Sequence, residues 1–232
     1  LKKVEVFCVN CKSVGLTLIG KLPEVSRATL DVHRTCTVYK KQQIIFHEGT
    51  RPQGVFCIHS GKVKVYKTGM DGKPQIIYIL RDGDVLGYRS LISEEVYPVS
   101  AETLEESAIC FIPKADFLEV MQQDPTLKSA LMKAMSRELT HLVDNMTFMA
   151  QRPVRERLAF MLLQLEDVFR MEGQSGHSRI SLSREDLANM VGTATETLIR
   201  LIHDYKEEGL VETEGRTIKI KDATRLKRLA DI

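Results

Sequence analysis

The hydrophobic period of the chain changes once, near its middle. Over the first half, apolar and polar residues alternate in short runs. Lys62-Val63-Lys64-Val65-Tyr66-Lys67 alternates strictly, which predicts a strand with Val63 and Val65 facing a core and the lysines facing water. Val38 to Phe46 is strand-like, and so is Phe56-Cys57-Ile58-His59, which runs through Ser60-Gly61 into the alternating segment. Met70-Asp71-Gly72-Lys73 is a hairpin turn signal before the apolar run Ile76 to Leu80. Glycines at 49, 54, 61, 69, 72, 83 and 87 punctuate short strands at close intervals, the signature of a sandwich or barrel, here a jelly roll. A last strand around Ala108 to Ile112 ends at Pro113.

Beyond Pro113 the period becomes helical. Asp116 to Gln123 predicts a short helix, and Asp124-Pro125 supplies an N-cap and a first-turn proline for a longer one. Met132, Met135, Leu139, Leu142, Met146 and Met149 then follow 3-4-3-4-3 spacing, a heptad seam. Such a stripe can pack on its own domain. The strict register and the polar flank Lys133, Ser136, Arg137, Thr140 and Asp144 favour a seam between two copies. Arg152-Pro153 breaks the helix and marks a domain boundary. An amphipathic helix with Leu158, Met161, Leu162, Leu165 and Val168 on one side follows, and Glu172 to Gly176 is a polar loop.

The last fifty residues carry the most specific pattern. Ser183-Arg184-Glu185-Asp186 resembles a capping box that opens a short helix, and Gly192-Thr193 breaks it. A second helix from about Ala194 to Glu208 has Leu198, Leu201, Ile202 and Tyr205 on one face, so the pair reads as a helix-turn-helix. Gly209 closes it, and Leu210 to Thr213 and Thr217 to Lys221 flank Glu214-Gly215-Arg216 as a hairpin wing. Thr193, Thr195, Glu196, Thr197 and Arg200 lie away from the apolar stripe, near the N-terminus of the second helix, where base-reading side chains sit. Arg200 can donate two hydrogen bonds to guanine and Glu196 can accept one from cytosine, and at i,i+4 spacing the two can also orient each other. Arg152, Ser183, Arg184, Arg216 and Lys219 are the expected phosphate contacts.

Composition adds bounds rather than detail. With 232 residues the chain is long enough for two small domains. A net charge of +2 excludes a polycationic binder, and residues 151–232 carry 14 basic and 14 acidic side chains, so any basic footprint must come from their distribution. No apolar run approaches a membrane span and no signal-peptide pattern appears, so the expectation is a cytoplasmic protein without membrane contact. An odd set of five cysteines, at 8, 11, 36, 57 and 110, argues against a disulfide scaffold and for a reducing compartment. Cys36 and Cys57 read as small buried strand residues. The six histidines are scattered and no nucleophile-elbow, phosphate-loop or zinc-protease motif occurs, so no catalysis is expected.

Taken together, Ile58 to Val63, the Asp71-Gly72 hairpin, Gly83-Asp84-Val85-Leu86-Gly87, the heptad helix and Leu187 to Gly192 with Glu196, Thr197 and Arg200 resemble the Crp/Fnr family of bacterial transcription regulators. The resemblance implies an α+β chain: an N-terminal jelly roll of cyclic-nucleotide-binding type (1–124), a dimerisation helix (125–151) and a C-terminal winged helix-turn-helix (152–232). It also implies that Glu196 and Arg200 read bases, that Thr195 and Ile199 sit where subfamilies vary, and that a palindromic duplex is the partner of a homodimer. The hairpin Thr68 to Gln75 and the loop Arg170 to Ser178 resemble family regions that touch RNA polymerase.

The effector pocket implied by the resemblance comprises Gly87, Tyr88, Arg89, Ser90 and Val99. It departs from the cyclic-AMP pattern. Tyr88 stands in place of the ribose-binding Glu, and Pro98-Val99 stand in place of the phosphate-binding Arg-Ser, which argues against cyclic AMP bound in the usual way. Gly87-Tyr88, the segment around Cys110, and Cys8-x-x-Cys11 are similar to the oxygen-sensing Fnr branch. Cys8, Cys11 and Cys110 are therefore candidate ligands of an iron–sulfur cluster or other metal, although a fourth thiolate is not evident; a dithiol response of Cys8 and Cys11 is the alternative. The effector stays unidentified. The leading expectation is a DNA-binding regulator that senses an effector or redox state, against a ligand-binding module that acts mainly through protein partners.

Overall fold

The computed structural model describes residues 2–3, 19–170 and 178–231. They form two compact units, residues 1–67 with 78–141 and residues 68–77 with 142–232.

In the first unit, β1 (Lys2–Lys3), β2 (Thr35–Tyr39), β9 (Ser107–Pro113), β4 (Gly54–Ser60) and β7 (Val85–Leu86) form one sheet in the order β1-β2-β9-β4-β7. β3 (Ile44–Phe46), β8 (Ser100–Thr103), β5 (Val63–Thr68) and β6 (Pro74–Leu80) form a second, in the order β3-β8-β5-β6, of which Thr68 and residues 74–77 are counted with the other unit. The alternation read from the sequence sorts the core. Phe46, Ile58, Val63, Val65, Leu86, Ala101 and Ile109 pack together between the sheets. Val55 and Ile112, of opposite parity on β4 and β9, point to the other face of the first sheet. There they pack with Leu30 of α1 (Glu24–Asp31), Leu91 of α2 (Tyr88–Ser93), and Phe117 and Val120 of α3 (Lys114–Gln123). This is the expected jelly roll.

The run Val38 to Phe46 is two strands, not one. β2 and β3 belong to different sheets, and Gln42 between them adopts a left-handed φ of 62°. Thr103 fixes this corner: its hydroxyl donates to the Lys40 carbonyl at 2.6 Å and accepts from the Gln43 N–H at 3.0 Å. On β5, Val63 and Val65 are buried as expected, whereas Lys64 is mostly covered and pairs across the strands with Glu102 at 3.1 Å.

α4 runs from Pro125 to Gln151 and starts as predicted, the Asp124 carboxylate accepting from the Thr126 N–H at 2.8 Å. The two units divide this helix after His141. Leu127 and Leu131 belong to the core of the first unit. In the second unit, Phe148 stacks on Phe160 of α5 (Val154–Phe169), with ring centroids 4.3 Å apart. The heptad residues between are largely bare: Met132 is 70%, Leu139 63% and Met146 68% exposed.

The second unit continues with β10 (Arg179–Ser181), α6 (Arg184–Val191), α7 (Thr195–Glu207), β11 (Val211–Glu214), β12 (Thr217–Ile220) and α8 (Ala223–Ala230). The expected wing hairpin is present, turning at Gly215, and β10 adds a third strand in the order β10-β12-β11. Leu198, Ile202 and Tyr205 bury one face of α7, and Leu187, Met190 and Val191 bury the facing side of α6. No helix among the described residues is long and apolar enough to cross a membrane.

Candidate nucleic-acid interface and effector cavity

The turn between α6 and α7 is built locally. Ser183 caps α6, its hydroxyl accepting from the Asp186 N–H at 2.9 Å and donating to the Asp186 carboxylate at 2.6 Å. Gly192 ends α6 at a left-handed φ of 69°, where its N–H reaches the Ala188 carbonyl at 2.9 Å, a conformation that L side chains disfavour. Arg157, which the sequence did not single out, ties this turn down. It donates to the Gly192 carbonyl at 3.3 Å and to the Met149 carbonyl at 3.2 Å. At the other end of α7, the Tyr205 hydroxyl donates to the Arg155 carbonyl at 2.6 Å, and Arg155 pairs with Glu208 at 2.6 Å. α7 is thus anchored at both ends through α5.

This anchoring presents Glu196, Thr197 and Arg200 exposed, with Thr193 and Thr195 half-buried beside the turn. The expected i,i+4 contact between Glu196 and Arg200 is not made. Among the described residues, neither side chain has a hydrogen-bond or ion-pair partner, because an exposed pair gains too little to hold two long side chains in one geometry. Both keep their full donor and acceptor capacity toward solvent. The first turn of α7 has no side-chain cap at Ala194, so its N–H groups are also open to an anion.

The expected phosphate contacts divide into two groups. The Arg216 and Lys219 side chains are exposed and, among the described residues, without a polar partner. Arg152 and Arg184 are engaged within the chain. Arg152 pairs with Asp231 at 2.7 Å and Glu156 at 3.4 Å. Arg184 is half-buried and donates to the Gly215 and Arg216 carbonyls at 3.1 and 3.2 Å, which locks the wing turn to the start of α6; burial lowers its pKa.

In the first unit, Gly87, Tyr88, Arg89, Ser90 and Val99 line one cavity, together with Phe46, Tyr78, Tyr97 and Glu138. Its volume is about 40 Å³, far below the roughly 300–1,000 Å³ of small-molecule sites. The space is filled from within. Phe46 stacks on Tyr97 with centroids 3.9 Å apart. Glu138 of α4, read from the sequence only as part of a helix, accepts from the Tyr88 hydroxyl at 2.6 Å and lies 3.3 Å from the Arg89 guanidinium, which also donates to the Tyr78 hydroxyl. Burial pushes the Tyr78 phenol up to about 12, with Arg89 opposing, and raises Tyr97 to about 12. Tyr88 is raised by burial and then by its bond to Glu138. A cyclic phosphate would meet Arg89 already paired with a carboxylate, and Val99 beyond it. The residues present do not fit a cyclic nucleotide.

For Cys110, one of the three candidate metal ligands, the expectation is corrected. Cys110 forms a disulfide with Cys36, so neither sulfur is a thiolate available to iron, and Cys36 is more than a small buried residue. The register that pairs them, β2 against β9, is not visible in a single sequence. Cys8 and Cys11 lie outside the described residues. Among the described residues no three His, Cys, Asp or Glu side chains are grouped to hold a metal ion.

Residues 36–124 match the family of cyclic nucleotide-binding domains, and residues 156–229 match the Crp-like helix-turn-helix domain. The chain is 30% identical to the transcriptional activator protein Anr of Pseudomonas aeruginosa, over 97% of this chain and 93% of that one. It is 31% identical to Anr of Pseudomonas protegens over the same shares. Its fold is similar to that of FixK2 from Bradyrhizobium japonicum, with a TM-score of 0.75 at 24% identity over 85% of this chain and 98% of that one.

Proposed function

This chain belongs to the Crp/Fnr family of transcription regulators, and on that premise we propose that it is a cytoplasmic, non-enzymatic homodimer that reads a palindromic operator with the exposed face of α7. The observation that carries the proposal is the state of Glu196 and Arg200. Both are exposed on a helix anchored at each end, and neither is bound to another described residue. Arg200 donates in bidentate fashion to a guanine and Glu196 accepts from a cytosine, while Thr193, Thr195 and Thr197 line the same groove. Arg216 and Lys219 contact phosphates, and Ser183, Arg152 and Arg184 do so only after exchanging the partners they hold. The α4 seam, Met132 to Met149, pairs with its copy and sets the spacing of the two reading helices. RNA polymerase is the further partner.

Residues 1–124 act as the sensor, 125–151 as the dimerisation helix and 152–232 as the reader. A signal at the sensor acts by favouring one of two dimer states, which requires that it bind them with different affinity. Arg200→Ala tests the base-reading role. We expect a loss of about 1–3 kcal/mol confined to one base pair of each half-site, measured by gel shift over single-base variants. Uniform weakening over all variants would reduce Arg200 to a phosphate contact.

A further inference from the structure

We propose that Ile199 is a base-reading residue of α7, and that the group it reads is the 5-methyl of a thymine in the major groove. This rests on the reading of α7 as the recognition helix, and it names a second base beside the one assigned to Arg200. Ile199 is 50% exposed, and every other exposed residue of α7, from Glu196 to Glu207, is polar or charged. Spacing fixes its place. At about 100° per residue, Leu198, Ile202 and Tyr205 gather on one buried side, and Ile199 stands about a quarter-turn from Leu198. It follows Thr195 by four residues and Glu196 by three, so it is a surface neighbour of both. All three lie in the N-terminal part of α7, from which a recognition helix meets base edges.

Single apolar residues are common on protein surfaces and by themselves mean nothing. Ile199 differs in three ways. Helix propensity does not favour it: at an exposed helical position Ala, Lys, Glu or Arg serves better, because a β-branched side chain loses χ1 freedom against the preceding turn. Packing within the chain does not account for it, since half of the residue stays uncovered. And the branch that weakens the helix fixes the side chain. A helical isoleucine keeps one χ1 rotamer about nine times in ten, so its methyl groups point in a set direction and lose little freedom when a second surface closes on them.

Chemistry selects the base. The Ile199 side chain has neither donor nor acceptor, so it cannot read the polar edge of a guanine, adenine or cytosine. The apolar group that the major groove displays is the thymine methyl. Contact between the two removes water from both and leaves every base-pair hydrogen bond intact. Side chains three apart on a helix are about 5–6 Å apart at Cβ, and successive nucleotides rise by about 3.4 Å, so this thymine lies within about two base pairs of the cytosine assigned to Glu196. Arg200 and Glu196 then read by hydrogen bonds, and Ile199 reads by shape and apolar contact alone.

The test uses the full chain and the duplex it selects from a random library. Each thymine of the selected half-site is replaced in turn by deoxyuridine, which removes the methyl and nothing else, and binding is followed by fluorescence anisotropy. At one thymine the Kd should rise by about fourfold, and by about fifteenfold when both half-sites carry the change, as burial of one methyl per contact requires. In Ile199→Ala, whose side chain falls short of the base, the same replacement should change the Kd by less than about twofold, with the G·C preference at the Arg200 position kept and a thermal melt showing a folded protein. The two readings fail separately. A neutral deoxyuridine at every thymine, a half-site with no thymine in that range, or a full deoxyuridine effect retained in Ile199→Ala overturns the role of Ile199 while α7 still reads bases. Failure to select any sequence, or uniform weakening over all base variants in Arg200→Ala, removes the base-reading role of α7 and the proposal with it.

Discussion

Leu139→Ala removes three carbons from the middle of the α4 seam. In a single chain Leu139 is 63% exposed, so truncation leaves intrachain packing nearly untouched, while the same surface is what a partner helix would cover. At about 0.8 kcal/mol per buried CH₂, full burial of three carbons is worth about 2.4 kcal/mol. Scaling by the exposed fraction gives about 1.5 kcal/mol per chain and, because a two-fold seam uses Leu139 twice, about 3 kcal/mol per dimer. The dimer dissociation constant should therefore rise by about a hundredfold. Sedimentation velocity over a dilution series reads this directly, with a thermal melt to show that the protomer itself has changed by no more than about 0.5 kcal/mol. A dissociation constant unchanged within about threefold, in a folded variant, would refute the assignment of this stripe to a dimer seam.

Other consequences follow from local geometry. Gly192→Ala puts a Cβ at a φ of 69° and 2.7 Å from the Met149 methyl, so denaturant unfolding should report a loss of about 1 kcal/mol or more, with operator sequence preference retained. Asp124→Ala removes the cap of α4 and the acceptor of the Ser26 hydroxyl, and should cost about 1 kcal/mol at neutral pH by the same assay. The Ser26 bond holds the Asp124 pKa below its usual value, so that contribution is complete above the ordinary carboxylate range and fades as pH falls through it; a wild-type to variant difference that grows on acidification would contradict this. Tyr78 keeps its proton to about pH 12 in the folded chain but only to about 10 when unfolded, so the folded state binds more protons between these values. Tyr78 should therefore contribute a fall in stability of up to about 1.4 kcal/mol per pH unit between 10 and 12, beside the like contributions of Tyr88 and Tyr97, and Tyr78→Phe should lessen the slope by that amount in chemical denaturation.

What was legible in the sequence was whatever rests on periodicity or on local backbone chemistry. The alternation of Val63 and Val65, the Asp124-Pro125 start, the Ser183 cap, the Gly192 break and the wing turn at Gly215 all depend on residues within a few positions of one another. The apolar faces of α5, α6 and α7 followed for the same reason. What escaped depends on register or on distant partners. Cys36 and Cys110 are 74 residues apart and meet only because β2 and β9 align them. Glu138 sits among polar helix residues, and only the fold brings it to Tyr88 and Arg89. Arg157 looks like any charged residue of an amphipathic helix until its carbonyl partners at Met149 and Gly192 are known. β10 and α1 are short and lack a clear period, three and eight residues with one buried apolar side chain each.

The central claim is that paired copies of α7 read two equivalent half-sites. Selection of bound sequences from a random duplex library by the full chain tests it most directly. Enrichment of an inverted repeat is expected, its half-sites centred about one helical turn apart, with a G·C pair at the position lost in Arg200→Ala. Enrichment of a single unrepeated element, or no enrichment over the starting library, would contradict it.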